Sequence, residues 1–414
     1  MGRRPDRVGL ARVGWIEGVT MRQEVCFGLL LLLIGGLGCR TKVVETHIQY
    51  DRPLPPGQLA LRKVKDPNEL PDFSEAWENL DTLRTAIERS LNYLGKASSR
   101  QFYPYADVNH DRVVKTLETF LTFVDSGIRA DELNGVIRAH FDVYMSVGCD
   151  DRGTVLFTGY YTPIFEASFE RTERFAYALY GMPDDLVKGP DGQTLGRRDP
   201  AGLIRAYPDR ATLERSGTLE GLELVWLADP FEVYIAHVQG SAKLRMPDGQ
   251  IITVGYAANN GHEYVSVAQA LVADGKILSD RMSLASMIDY FQQHPDQVGR
   301  YTQRNPRYVF FRIAEETPHG SLNEPVTPMR TIATDKSIFP RAALAFISTM
   351  VPQMGHVGFV KRPYDGFVLD QDTGGAIRAP GRCDIYMGQG DQAGHLAGQT
   401  YQEGRLYYLF LKSN

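Results

Sequence analysis

The sequence has little of what metal, redox or nucleotide chemistry uses. It holds no HExxH, no GxxxxGK[ST], no GxSxG and no CxxC pair. Its nine His are scattered without metal-ligand spacing, so no metal and no cofactor is expected. Four Cys occur, and two of them, Cys26 and Cys39, lie in the N-terminal apolar run. Dense Lys/Arg runs are missing and the net charge is -5, which argues against a nucleic-acid partner. There is no internal repeat and no low-complexity tract. No apolar run reaches the roughly 20 residues of a bilayer span. What is left is an ordinary globular composition, 43% hydrophobic and 23% charged over 414 residues, enough for two or three domains.

The apolar run FGLLLLLIGGLGC, Phe27 to Cys39, fits the core of an export signal. It ends in small residues and a Cys, as lipoprotein signals do, with Cys39 as the lipidated first residue. An ordinary signal peptide or an uncleaved anchor fits the same run, and Met21 opens a more usual signal than Met1. Arg40 after the Cys, in place of Asp, points to the periplasmic face of the outer membrane. Export into an oxidising compartment leaves Cys149 and Cys383 open to either a disulfide or two free thiols.

A polar, Pro-containing linker runs over residues 40–71. Apolar residues then recur at helical steps: Trp77, Leu80, Leu83, Ile87, Leu91 and Leu94, then Val113 to Val124, then Leu133 to Phe141. From about residue 153 the texture becomes β-branched and aromatic. It reads as strands through TVLFTGYYTPIFEASF and through the long stretch from Leu224 to Ala257, where PDGQ (Pro247 to Gln250) marks a hairpin. Helices are expected near Val265 to Ala273 and Leu284 to Phe291, a strand at Arg307 to Ile313, and a small β-barrel in the last hundred residues. DVNHDRVVKTLE (Asp107 to Glu118) has acids at calcium-loop spacing, but Arg112 stands at the sharp-turn Gly position, so it reads as a helix start.

The remaining chemistry is carboxylate chemistry. Asp372 and Asp384 flank a Gly-rich segment, and Asp335 sits in TDKSIFP. By residue type alone, all three could equally hold turns by accepting from nearby backbone N–H groups.

Five ordered segments bear on that choice: FTGYYTP (Phe157 to Pro163), HVQGSA (His237 to Ala242), GYAANNGHEY (Gly255 to Tyr264), ATDKSIFP (Ala333 to Pro340) and DTGGAIRAPGRCDIYMGQG (Asp372 to Gly390). Together they resemble the membrane-bound lytic murein transglycosylase A family, over about residues 70 to 412. The last two resemble its C-terminal three-aspartate domain, whose Asp residues fall on Asp335, Asp372 and Asp384. The resemblance implies a mainly-β fold with N-terminal helices: a double-psi β-barrel domain from residues 72–160 and 316–414, a smaller β-barrel domain inserted over 161–315, and a groove between them.

It also implies cleavage of peptidoglycan glycan strands, with Asp384 as the catalytic acid and Asp372 and Asp335 in support. Substrate contacts are expected from Thr158, Tyr160, Tyr161, Gln239, Gly240, Ser241, Gly374 and Gly375; strand alternation sends one of the two Tyr to the core. The AIRAPGRCD loop is one residue longer than the family's usual one. The expected partners are glycan strands and, through the lipid anchor, a membrane. Two other readings stay open: a non-catalytic cell-wall binding lipoprotein, and a hydrolase using Asp372 and Asp384 together.

Overall fold

A computed structural model describes residues 48–413, apart from 191, 279–281, 315–317 and 356–357. The export signal and Cys39 lie outside the described residues. The first part of the chain forms β1 (Leu61–Lys63), α1 (Leu80–Gly95), α2 (His110–Asp125), α3 (Ala130–His140), β2 (Phe141–Ser146) and β3 (Val155–Thr162). Next come β4 (Ile164–Ser168), β5 (Tyr177–Tyr180), β6 (Leu186–Lys188), β7 (Thr194–Arg198), β8 (Ile204–Arg205), α4 (Arg210–Ser216) and β9 (Glu223–Leu227). They are followed by α5 (Pro230–Gln239), β10 (Ser241–Arg245), β11 (Ile251–Asn259), α6 (Val267–Ala273), α7 (Leu284–Gln293), α8 (Val298–Thr302) and β12 (Val309–Ala314). The chain ends in β13 (Thr331–Ala333), β14 (Leu344–Met354), β15 (Phe359–Asp372), β16 (Arg382–Gln389), α9 (Gly390–Gln399) and β17 (Tyr401–Leu411).

Two closed strand rings result. In one, β17, β14, β15, β13, β16 and β3 pair in that order, and β3 pairs back onto β17. In the other, β12, β11, β10, β4, β9 and β5 pair in order, and a bridge between Gly181 and Phe311 brings the end of β5 to β12. Closure pairs both edges of each ring, while β1 and the small β6–β7–β8 sheet keep open edges outside them. The chain passes from the first ring to the second at Pro163, between β3 and β4, and returns between β12 and β13.

The helices α1 to α3 cover the first ring because their apolar stripes match the helical period. Leu83, Ala86, Ile87 and Leu94 of α1 and Val113, Leu117, Phe120 and Val124 of α2 are buried. Below them Phe73, Phe120, Phe346 and Phe367 form one aromatic cluster, with ring centroids 4.8 to 5.8 Å apart. The Gln371 side chain donates to Ala86 O at 2.7 Å and to Ser90 Oγ at 2.9 Å, so α1 is keyed to the end of β15. Asn109 caps α2 by accepting from Arg112 N at 2.8 Å, while Asp107 accepts from Arg112 and Tyr144; the acids at calcium-loop spacing begin a helix.

Two expectations are corrected. The stretch over residues 40–71 is not all linker, because Leu61–Lys63 form β1 against β2 and Ala60 and Leu61 are buried in the core. The run from Leu224 to Ala257 is not continuously strand, because residues 230–239 form α5. Asp229 caps it by accepting from Phe231 N at 2.6 Å, Pro230 occupies the first turn, and Gly240 ends it at φ 76°. These start and stop signals outweigh the β-branched texture between them. The PDGQ turn does join two strands: Arg245 pairs with Ile251, and Met246 N donates to Gln250 O at 2.8 Å.

Phe367 is fully buried at the centre of the aromatic cluster. Phe367→Ala is expected to cost about 3–5 kcal/mol. Urea denaturation checks this: the midpoint falls while the slope is unchanged.

Candidate active site

The site grows out of one parallel strand pair. The register of β16 on β3 places Arg382 opposite Leu156, Asp384 opposite Thr158 and Tyr386 opposite Tyr160. Alternate residues share a face, so Arg382, Asp384 and Tyr386 stand beside Thr158, Tyr160 and Thr162. The hydroxyls connect them: Thr158 Oγ1 donates to Asp384 Oδ1, and Thr162 Oγ1 and Tyr386 Oη lie 2.9 Å apart. Cys383, Ile385 and Phe157, which fall between, are fully buried in the ring.

Asp384 keeps 17% of its side chain exposed. Burial pushes its carboxyl above the usual carboxylate range; Arg382 and then the Thr158 hydroxyl pull the other way, and the Asp372 charge reinforces burial. Asp372 is differently placed. It accepts from Ser321 N at 2.8 Å, Thr373 N at 2.8 Å and Tyr160 Oη at 2.9 Å. Burial raises its carboxyl too, against these three donors and Lys336. Desolvation, followed by the Asp372 charge, holds the Tyr160 hydroxyl protonated far above its ordinary range.

Asp335 ties down the connecting loop. Its Oδ1 accepts from Ser337 N and Oγ at 3.1 and 2.6 Å, and its Oδ2 accepts from Ala379 N at 3.1 Å. Ala379 has φ 67°, a left-handed conformation that a residue with a Cβ holds only when its surroundings fix it.

Behind the ladder lies a group that sequence reasoning missed. Asp370 is fully buried and accepts from Thr334 Oγ1, from Tyr408 Oη at 2.7 Å and from Lys336 Nζ. Burial depresses the Lys336 ammonium below its ordinary range, against the pull of Asp370. The signal was an Asp directly after the apolar run of residues 367–369, two residues before Asp372. Cys149 and Cys383 are both buried free thiols, which decides the open pairing question for free thiols.

The expected substrate contacts divide. Thr158 and Tyr160 lie at the carboxylates. Tyr161 points the opposite way, as alternation requires: it is 6% exposed, and a Cβ on Gly394 of α9 would come within 2.8 Å of its ring. Gln239 accepts from Tyr161 N at 3.1 Å, stitching α5 to β3. Gly240 terminates α5, and Ser241 opens β10 and is buried. Gly374 begins a turn closed by Ile377 N donating to its carbonyl at 3.1 Å. Gly375 faces the second ring, where a Cβ would lie 3.0 Å from Arg307 Nε. Tyr264, on the loop after β11, feels the charge of Arg382 across the same gap.

Fold and site thus define a protein of two β-barrels whose first barrel presents two neighbouring, partly exposed carboxyls, Asp384 and Asp372. Residues 156–312 match the MltA specific insert domain and residues 330–410 match the 3D domain. A membrane-bound lytic murein transglycosylase A from Vibrio cholerae is 27% identical over 384 residues, 91% of this chain and 92% of the relative. The crystal structure of a membrane-bound lytic murein transglycosylase from Agrobacterium tumefaciens aligns at a TM-score of 0.70 with 27% identity, covering 85% of this chain and 98% of that one. Escherichia coli MltA with bound chitohexaose shares the fold at a TM-score of 0.66 and 24% identity, over 88% of this chain and 99% of that one. The chain belongs to the membrane-bound lytic murein transglycosylase A family.

Lys336→Met leaves Asp370 buried without its cation and is expected to cost about 3–5 kcal/mol. The double variant Lys336→Met/Asp370→Asn recovers part of that loss, because the uncompensated charge is gone while the Thr334 and Tyr408 donors keep an acceptor. Chemical denaturation of the two variants checks the pair.

Proposed function

We propose that the chain is a lytic murein transglycosylase that cleaves the β-1,4 bond between N-acetylmuramic acid and N-acetylglucosamine, with Asp384 acting first as acid and then as base. The observation that carries the reading is the placement of Asp384. It is the carboxyl on the shared β16–β3 face that is raised by burial yet still partly open. A raised carboxyl carries a proton at a pH where an ordinary Asp does not. That proton passes to the glycosidic oxygen as the bond breaks. The carboxylate left behind accepts the proton of the muramic acid C6 hydroxyl as that oxygen closes on C1. No water enters, and a 1,6-anhydro ring forms.

A hydrolase would need a second carboxylate free to serve water. Asp372 is committed to three donors, which favours a role in shaping the loop and raising Asp384 over one in attack. Asp335 holds the loop that precedes Asp384. The walls facing the site, with Thr158 and Tyr160 on one side and Tyr264 and Arg307 on the other, suit a glycan strand laid between the barrels. Within this reading, residues 72–160 with 316–414 are the double-psi barrel domain and 161–315 the insert. Cys39 carries the lipid that holds the enzyme on the periplasmic face of the outer membrane.

Asp384→Asn keeps the shape and loses the proton. It is expected to lower product release by about 10²–10⁴-fold while glycan binding persists. Mass spectrometry of digested sacculi reads the outcome: wild type gives anhydro-muropeptides, whereas products heavier by one water would indicate hydrolysis. Cys39→Ala is expected to shift the protein from the membrane to the soluble fraction and to abolish fatty-acid labelling.

A further inference from the structure

Arg382 opens β16, two residues before Asp384 and on the same face of the strand. Its Nη2 donates to Thr158 Oγ1 at 3.3 Å and stands 3.9 Å from Asp384 Oδ1. Its Nε is buried and has no hydrogen-bond partner among the described residues. A guanidinium held with one donor unsatisfied is held by its other contacts, here the hydroxyl and the carboxylate.

A threonine hydroxyl has one proton and two lone pairs. Arg382 fills one lone pair of Thr158, and the hydroxyl directs its single proton at Asp384 Oδ1. Oδ1 is then an acceptor in both charge states of the acid. With Thr158 turning its own proton toward Oδ1, the proton of the neutral carboxyl is placed on Oδ2, which has no protein hydrogen bond among the described residues. Resting on the proposed function above, we infer that Arg382 is a positioning residue: through Thr158 it fixes the catalytic proton of Asp384 on Oδ2 and eases its transfer to the glycosidic oxygen.

The same contacts favour the carboxylate electrostatically, so Arg382 moderates the effect of burial. The other groups facing Asp384 are Asp372 at the end of β15, with Lys336 behind it, and Tyr160 on β3; Tyr264 faces Arg382 from the second barrel. Burial and Asp372 raise the carboxyl, and Arg382 is the cation that opposes them.

The test is the pH profile of kcat/KM in Arg382→Gln and Arg382→Lys, measured on the full chain. The first step needs neutral Asp384, so activity falls as pH rises through its pKa. Loss of the cation raises that pKa, and the alkaline limb in Arg382→Gln is expected to move up by about one pH unit, a tenfold change in proton affinity. Arg382→Lys restores the charge but not the fixed fork, so its limb returns toward wild type while kcat stays low. Carbon-13 titration of the Asp384 carboxyl, assigned by its absence in Asp384→Asn, reads the same shift without turnover. An Asp384 titration midpoint unchanged in Arg382→Gln overturns the inference, as does a rate lowered equally at every pH. Full activity in Asp384→Asn would instead overturn the catalytic reading and leave the carboxyl titration standing. If Arg382→Gln does not fold, the Lys variant alone decides: the inference fails unless its kcat drops with the limb in place.

Discussion

The parallel ladder between β16 and β3 sets the position of every group at the site. It joins residues 226 positions apart, Thr158 and Asp384, and does so at the closing seam of a ring. Without that pairing Thr158 has no carboxylate, Tyr160 does not reach Asp372, and Arg382 has no hydroxyl to hold. The opposite face of the same two strands is dry: Phe157, Cys383 and Ile385 are fully buried. A slip of one residue would send Asp384 into that core and Cys383 outward, a change the burial of a charge forbids. Apolar packing on one face thus fixes the register of polar chemistry on the other.

The close seating of α9 on β3 reinforces this. A Cβ at Gly159 would come within 2.7 Å of Ala397 Cα, so only glycine lets the helix lie so near. Behind the seam, Asp370, Lys336, Thr334 and Tyr408 form a satisfied polar knot. It links β15, β17 and the turn that carries Asp335. Rigidity at the acid therefore has two sources, a tight apolar contact on one side and a compensated charge pair on the other.

Much of this was legible in the sequence, and the reasons differ from part to part. The helical stripes of α1 and α2 were plain because a one-sided apolar period survives in any order of reading. The three Asp were visible, but residue type did not separate a proton donor from a turn holder. Hydrogen bonding separates Asp384, which uses only Oδ1 among the described residues, from Asp372 and Asp335, whose oxygens are spent on backbone N–H groups and neighbouring hydroxyls. The helix α5 was hidden by aromatic and β-branched residues, although Asp229, Pro230 and Gly240 marked both its ends. Asp370 and Lys336 were not singled out, since their importance comes from burial created by strands distant in sequence. For Tyr160 and Tyr161 the alternation of a strand did predict that one would turn inward; which of them did depended on the register.

The crossing at Pro163 gives the order of the chain a further meaning. Thr158 lies before the whole of the second barrel, and Asp384 lies after it. During synthesis, Asp384 and the Thr158 hydroxyl meet only after the intervening barrel and the penultimate strand have both emerged. On the proposed reading a partly delivered polypeptide is chemically silent, because the paired carboxyl forms only with the final segments that seal the ring.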